Sequence, residues 1–81
     1  MRGKGIGTIA AKMITNYGFT TMGFRRIEAA VDVDNSASQK LLMSAGYSKE
    51  GVLRQRVTRS NGSQIDMVEL AVLAGEWKEL D

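Results

Sequence analysis

The chain has 81 residues, room for one domain, and contains neither Cys nor His, which excludes a disulfide framework and Cys or His metal sites. Eleven Lys and Arg against nine Asp and Glu give a net charge of +2, too mild a surplus to indicate nucleic acid. No apolar run approaches the ~20 residues of a membrane span, and no Asp-rich loop suggests a carboxylate-only Mg²⁺ or Ca²⁺ site.

The chain opens on a glycine-rich segment, Gly3, Gly5 and Gly7, followed by apolar residues at Ile6, Ile9, Ala10, Met13, Ile14 and Tyr17. That spacing marks one face of a helix, and Gly18 is positioned to end it. A glycine loop opening into an amphipathic helix, from about Gly5 to Tyr17, is therefore predicted. A connection around Gly23 leads to residues 26–33, where Ile27, Ala29, Val31 and Val33 alternate as in a half-buried strand. Asp34, Asn35 and Ser36 are N-cap residue types. Behind them Ala37, Leu41 and Ala45 share a face, and Gly46 stands where an αL cap belongs. A short second helix is predicted over about Ser36 to Ala45.

Tyr47 to Arg59 reads as a strand broken near Gly51. Asn61-Gly62 predicts a hairpin through a type I′ turn, which needs positive φ at both central residues. The returning strand, Ile65 to Leu73, is apolar on both sides, with Ile65, Met67 and Ala71 against Val68, Leu70 and Val72. Such a strand belongs in the middle of a sheet with both faces covered. Trp77 is expected to pack the short tail down. The fold class is α/β (α+β), with a glycine loop, helix, strand, helix and β-hairpin in one domain over residues 1–81. A three-stranded mixed sheet with two helices is expected.

The segment Arg2-Gly3-Lys4-Gly5-Ile6-Gly7-Thr8 offers backbone N–H groups at a helix N-terminus. The lack of side chains admits a phosphate, and the helix dipole favours its charge. Arg2 and Lys4 add positive charge. The segment is not the dinucleotide fingerprint, which needs Gly-x-Gly-x-x-Gly after a strand, and it lacks the Gly-Lys-Ser/Thr ending of a P-loop. A flexible Gly-rich start is the competing reading.

Arg2-x-x-Gly5-x-Gly7 resembles the Gln/Arg-x-x-Gly-x-Gly/Ala motif of the GNAT N-acetyltransferases. Asn35-Ser36-Ala37-Ser38, with Leu41, Leu42 and Ala45-Gly46-Tyr47 behind it, resembles that family's second signature, an Asn-x-x-Ser helix closing at a Gly-Phe/Tyr pair. The run from Gly46 to Arg54, together with Asp66 and Glu76-Trp77, looks like the branch that acetylates ribosomal-protein N-termini. The resemblance covers Arg2 to Leu80. It implies the C-terminal, acetyl-CoA-binding half of the GNAT fold, with acetyl-CoA as co-substrate and no metal. By the same resemblance the backbone amides of Lys4, Gly5, Ile6, Gly7 and Thr8 hold the pyrophosphate of coenzyme A, with Arg2 beside it. Asn35 bonds the pantetheine arm, and Lys40 reaches the nucleotide end. Ser38 lies near the thioester sulfur as candidate general acid, and Tyr47 is a weaker candidate for that role. Asn35 also reads as a plain N-cap with Ser38 at N3, and Tyr47 as an apolar strand anchor.

The family's strand ahead of the glycine loop, which often carries the Glu that deprotonates the amine, is expected to be absent, since Met1 stands where it should end. The N-terminal strands that shape the acceptor site are likewise expected to be absent. Glu28, Glu50 and Glu69 are available as bases and read rather as strand surface or ion pairs. The expected function is acetyl-CoA-dependent transfer of an acetyl group to an unidentified amine, this chain supplying the cofactor-binding portion. The alternative is a non-catalytic acyl-CoA-binding or truncated remnant of such an enzyme. A nucleic-acid binder built on Arg54, Arg56 and Arg59 has the low charge and the 6% aromatic content against it. The open strand edges lead us to expect a homo-oligomer or a complementary N-terminal fragment as partner. The basic start has no apolar h-region behind it, so the cytoplasm is the expected location.

Overall fold

A computed structural model describes residues 4–78, with the backbone alone for residues 4–6. Its elements follow the predicted order: α1 (Lys4–Thr20), β1 (Arg26–Asp32), α2 (Ser36–Ser44), β2 (Ser48–Thr58), β3 (Gln64–Leu73) and a single 3₁₀ turn at Ala74–Glu76.

Helix α1 starts one residue from its expected beginning at about Gly5, with Lys4, Gly5, Ile6 and Gly7 as its first turn, but it runs past its expected end, through Gly18 to Thr20. Gly18 does not end the helix. It is where the helix touches the sheet, since a Cβ there would lie 2.7 Å from Ile27 Cδ1 and 3.2 Å from the Phe24 ring. The glycine that turns the chain is Gly23, at φ +74. The burial of α1 is also reversed from the hydropathy pattern. Ile9, Met13, Ile14 and Tyr17 are exposed, Ile14 at 72%, while Thr15 and Gly18 are buried and Ala11 and Phe19 pack on the core. The small residues let the helix lie close to its neighbours, and closeness decides which face goes in.

Helix α2 ends as its sequence predicts. With Gly46 at φ +110, the Gly46 N–H donates to the Met43 carbonyl at 3.1 Å and the Tyr47 N–H to the Leu42 carbonyl at 3.0 Å, the paired bonds of a Schellman cap. Trp77 lies behind this glycine, 3.3 Å from where a Cβ would be, and donates from Nε1 to Asn16 Oδ1 at 2.9 Å. The tail is thereby held against the C-terminal part of α1.

The sheet order is β1-β3-β2, so β3 is central as predicted. Both ladders are antiparallel, and the expected mixed sheet is corrected to an antiparallel one. Val68, Leu70 and Val72 alternate onto one face of β3, pair with Val31, Ala29 and Ile27 of β1, and form the core with Ala45 and Tyr47. Each fully buried side chain of this kind contributes about 1.5–3 kcal/mol. The hairpin forms, but not through a type I′ turn. Of the turn residues only Gly62 has positive φ, the Gly62 N–H donates to the Arg59 carbonyl at 2.9 Å, and the Arg59 N–H to the Ser63 carbonyl at 2.8 Å. This is a type I turn with a glycine bulge. The predicted break at Gly51 is a register shift between Lys49 and Gly51, and a second shift lies between Leu53 and Val57.

Candidate functional site

Thr8 of α1 and Ser36, Ala37, Ser38, Lys40, Leu41 and Ser44 of α2 line one cleft of about 670 Å³. Its position follows from local chemistry. The Asn35 side chain accepts from the Ser38 N–H at 3.1 Å and so starts α2. Gly7 lets α1 approach α2, because a Cβ there would meet Leu41 Cδ1 at 2.8 Å. The first turn of α1 therefore stands beside the start of α2, and a helix leaves its first-turn amides without intrahelical partners.

Thr8, Ser38 and Lys40 come together in this cleft, with Ser38 half-buried and Lys40 exposed. Asn35 adjoins the lining at Ser36, and with its oxygen engaged in the cap its amide nitrogen is free to donate. Gly5 and Gly7 lie in the first turn of α1. Arg2 lies outside the described residues, as do the side chains of Lys4 and Ile6. Tyr47 does not line the cleft. It is buried, and its hydroxyl shares a 2.8 Å hydrogen bond with the Thr15 hydroxyl across the core.

The glutamates lie elsewhere. Glu28 and Glu69 alternate with the core residues of their strands and so occupy the sheet face away from the helices. There Arg26 pairs with Glu50 at 2.7 Å, Glu28 at 3.1 Å and Glu69 at 3.7 Å. The Arg26 hydrogen bond holds the Glu50 carboxyl below the usual carboxylate range. Glu69 is pushed up, first by its hydrogen bond with Glu28 and then by partial removal from water, and the same bond, with Arg26, lowers Glu28. Glu69, with 18% of its side chain exposed against 56% for Glu28, is the more enclosed of the two, in keeping with its being the one raised. The reading of these three as strand surface and ion pairs holds.

Gln39 escapes sequence reasoning. It is a buried polar residue whose Nε2 donates to the carbonyls of Asp32 and Val33 at 3.3 and 3.1 Å, fastening the end of β1 to α2. Its position in an Asn-capped helix carries no signal of that tie. Among the described residues no group of three or more His, Cys, Asp and Glu is placed to hold a metal, and no helix is long and apolar enough to cross a membrane.

Residues 1–48 match the model of the acetyltransferase (GNAT) domain. The chain belongs to the GNAT acetyltransferase family. An uncharacterized N-acetyltransferase of Bacillus licheniformis is 39% identical to it over 75 residues, covering 93% of this chain and 42% of that protein. The spermidine N(1)-acetyltransferase of Escherichia coli K12 is 36% identical over 52 residues, 64% of this chain and 28% of that one. Among solved structures, the ribosomal-protein-S5-alanine acetyltransferase from Vibrio fischeri superposes with a TM-score of 0.83 at 30% identity, covering 95% of this chain and 42% of its own. The chain thus spans less than half the length of the relatives it matches. The GNAT resemblance read from the motifs is borne out, as is the partial α/β architecture.

Proposed function

We propose that this chain carries the acetyl-CoA site of an N-acetyltransferase, and that the acyl group passes to a primary amine. The observation that carries the reading is the cleft between the first turn of α1 and the start of α2. It sets the hydroxyls of Thr8, Ser36 and Ser38 and the ammonium of Lys40 next to the first turn of α1, whose amides suit a pyrophosphate. Those groups fit a ligand that is anionic at one end and hydrogen-bonding along its length. In this reading the Gly5 and Gly7 amides hold the pyrophosphate, Lys40 serves the nucleotide end, and the free amide of Asn35 donates to the pantetheine arm.

The chemistry is attack of the amine nitrogen on the thioester carbonyl. A C–N bond forms, the C–S bond breaks, the amine gives up a proton and the departing thiolate takes one. Ser38 is the hydroxyl we assign to the thiolate. Tyr47 is the poorer donor, because its hydroxyl is already paired in the core. Among the described residues no carboxylate borders the cleft to take the amine's proton, so the general base is outside this assignment.

The test is thiol release from acetyl-CoA in the presence of primary amines, with Ser38→Ala alongside the wild type. Turnover by the wild type, lowered about 10²-fold or more in the variant, is expected. A wild type that binds acetyl-CoA and releases no thiol with any amine would reduce the chain to an acyl-CoA-binding module.

A further inference from the structure

The second register shift of β2 sets three residues, Arg54, Gln55 and Arg56, against a gap in the ladder that runs from Leu53↔Met67 to Val57↔Ile65. Gln55 is the one non-glycine residue with positive φ among those described, at +50. Its N–H donates to Asp66 Oδ1 at 2.8 Å. Non-glycine residues in this region concentrate where surrounding structure enforces them, often at sites of function, and bulges re-aim side chains beside such sites. Arg54, Gln55, Arg56, Asp66, Val52 and Leu53 line a cleft of about 740 Å³.

The two arginines of this cleft differ from their neighbours Arg26 and Arg59 in having no carboxylate partner among the described residues. Arg26 is matched by three glutamates and Arg59 by Asp32 at 3.0 Å, whereas Arg54 and Arg56 form no ion pair among the described residues. Arg56 also borders the neighbouring cleft that holds Glu28 and Glu69. The bulge is tied to the candidate active site through a run of bonds. The Asp66 carbonyl accepts from the Val33 N–H at 3.0 Å, and the Val33 carbonyl accepts from Gln39 of α2 at 3.1 Å. Arg54 and Arg56 therefore stand at the end of the sheet where α2 begins.

We propose that this bulge is the acceptor subsite for an anionic group, so that the amine acetylated carries an oxyanion, a carboxylate or a phosphate, near its amino group. The inference rests on the transfer reaction proposed above and adds the acceptor's chemistry to it. Guanidinium forks match either oxyanion in a bidentate manner. Protection of an edge strand accounts for a bulge, but not for a left-handed Gln55 pinned by a carboxylate between two unmatched arginines.

The test is titration of the wild-type chain, followed by amide chemical shifts, with three probes: Ala-Glu amide, Ala-phosphoserine amide and the neutral Ala-Gln amide. The readout needs neither acetyl-CoA nor turnover, so it is separable from tests of the cofactor site. At low salt we expect at least one anionic probe to bind about tenfold tighter than the neutral one, and the favoured probe names the oxyanion. The preference should vanish in Arg54→Ala/Arg56→Ala and persist in Arg59→Ala. Equal affinities, no binding of any probe, or a preference that survives the double substitution would overturn the proposal.

Discussion

Two hydroxyls, those of Ser38 and Tyr47, are candidates to protonate the leaving thiolate, and their surroundings separate them. Ser38 lines the cleft, while the Tyr47 hydroxyl is joined to Thr15, a side chain only 1% exposed. Tyr47→Phe would leave the Thr15 hydroxyl unpaired in the core. We predict a stability loss of about 1–3 kcal/mol in urea unfolding, with acetyl-CoA affinity unchanged. Wild-type stability with lost cofactor binding would instead put the phenol in the site. Legibility at this scale follows from how local a residue's task is. Asn35 and Gly46 act on backbone within three or four positions of themselves, so residue type and spacing reveal them. Gln39 and Gln55 act through partners six to eleven positions away, which a glutamine does not announce.

The elements themselves were largely readable, because strand alternation, caps and turn glycines are written in short windows. The face that α1 buries was not. Its large apolar residues mark a stripe by hydropathy, yet Ala11, Thr15 and Gly18 are the residues that pack inward, with Gly18 against β1, and Gly7 permits the approach to α2. The open face of the sheet gives a prediction in pH. Glu28 and Glu50 are lowered in the fold, so their contribution is present above the ordinary carboxylate range and fades as pH falls through their lowered values. Glu69 is raised, so the fold is weakened as pH climbs through the ordinary range to its raised value. Glu69→Gln removes that like charge and keeps a donor toward Glu28. Thermal unfolding should therefore show the variant melting higher than wild type at pH 7, with the gap closing as pH falls through the ordinary carboxylate range. A gap that widens on acidification would contradict the raised Glu69.

As a whole molecule, the chain leaves apolar surface uncovered. Ile9, Met13, Ile14 and Tyr17 on α1 are each more than half exposed, and Val52, Leu53 and Val57 lie exposed along the edge strand β2. Contiguous apolar surface of this kind promotes association. We predict that sedimentation equilibrium will find the chain heavier than one copy and that Met13→Glu/Ile14→Glu will shift it to the single-chain mass. A compact wild-type monomer would refute this. The central claim, that the first turn of α1 holds the pyrophosphate of coenzyme A, is tested most directly by calorimetry of acetyl-CoA binding to the wild type and to Gly5→Glu. A carboxylate at that turn blocks the phosphate by bulk and by charge. The prediction is measurable binding by the wild type and at least a tenfold loss in the variant. Equal binding by both would place the cofactor elsewhere, and no binding by the folded wild type would contradict the claim outright.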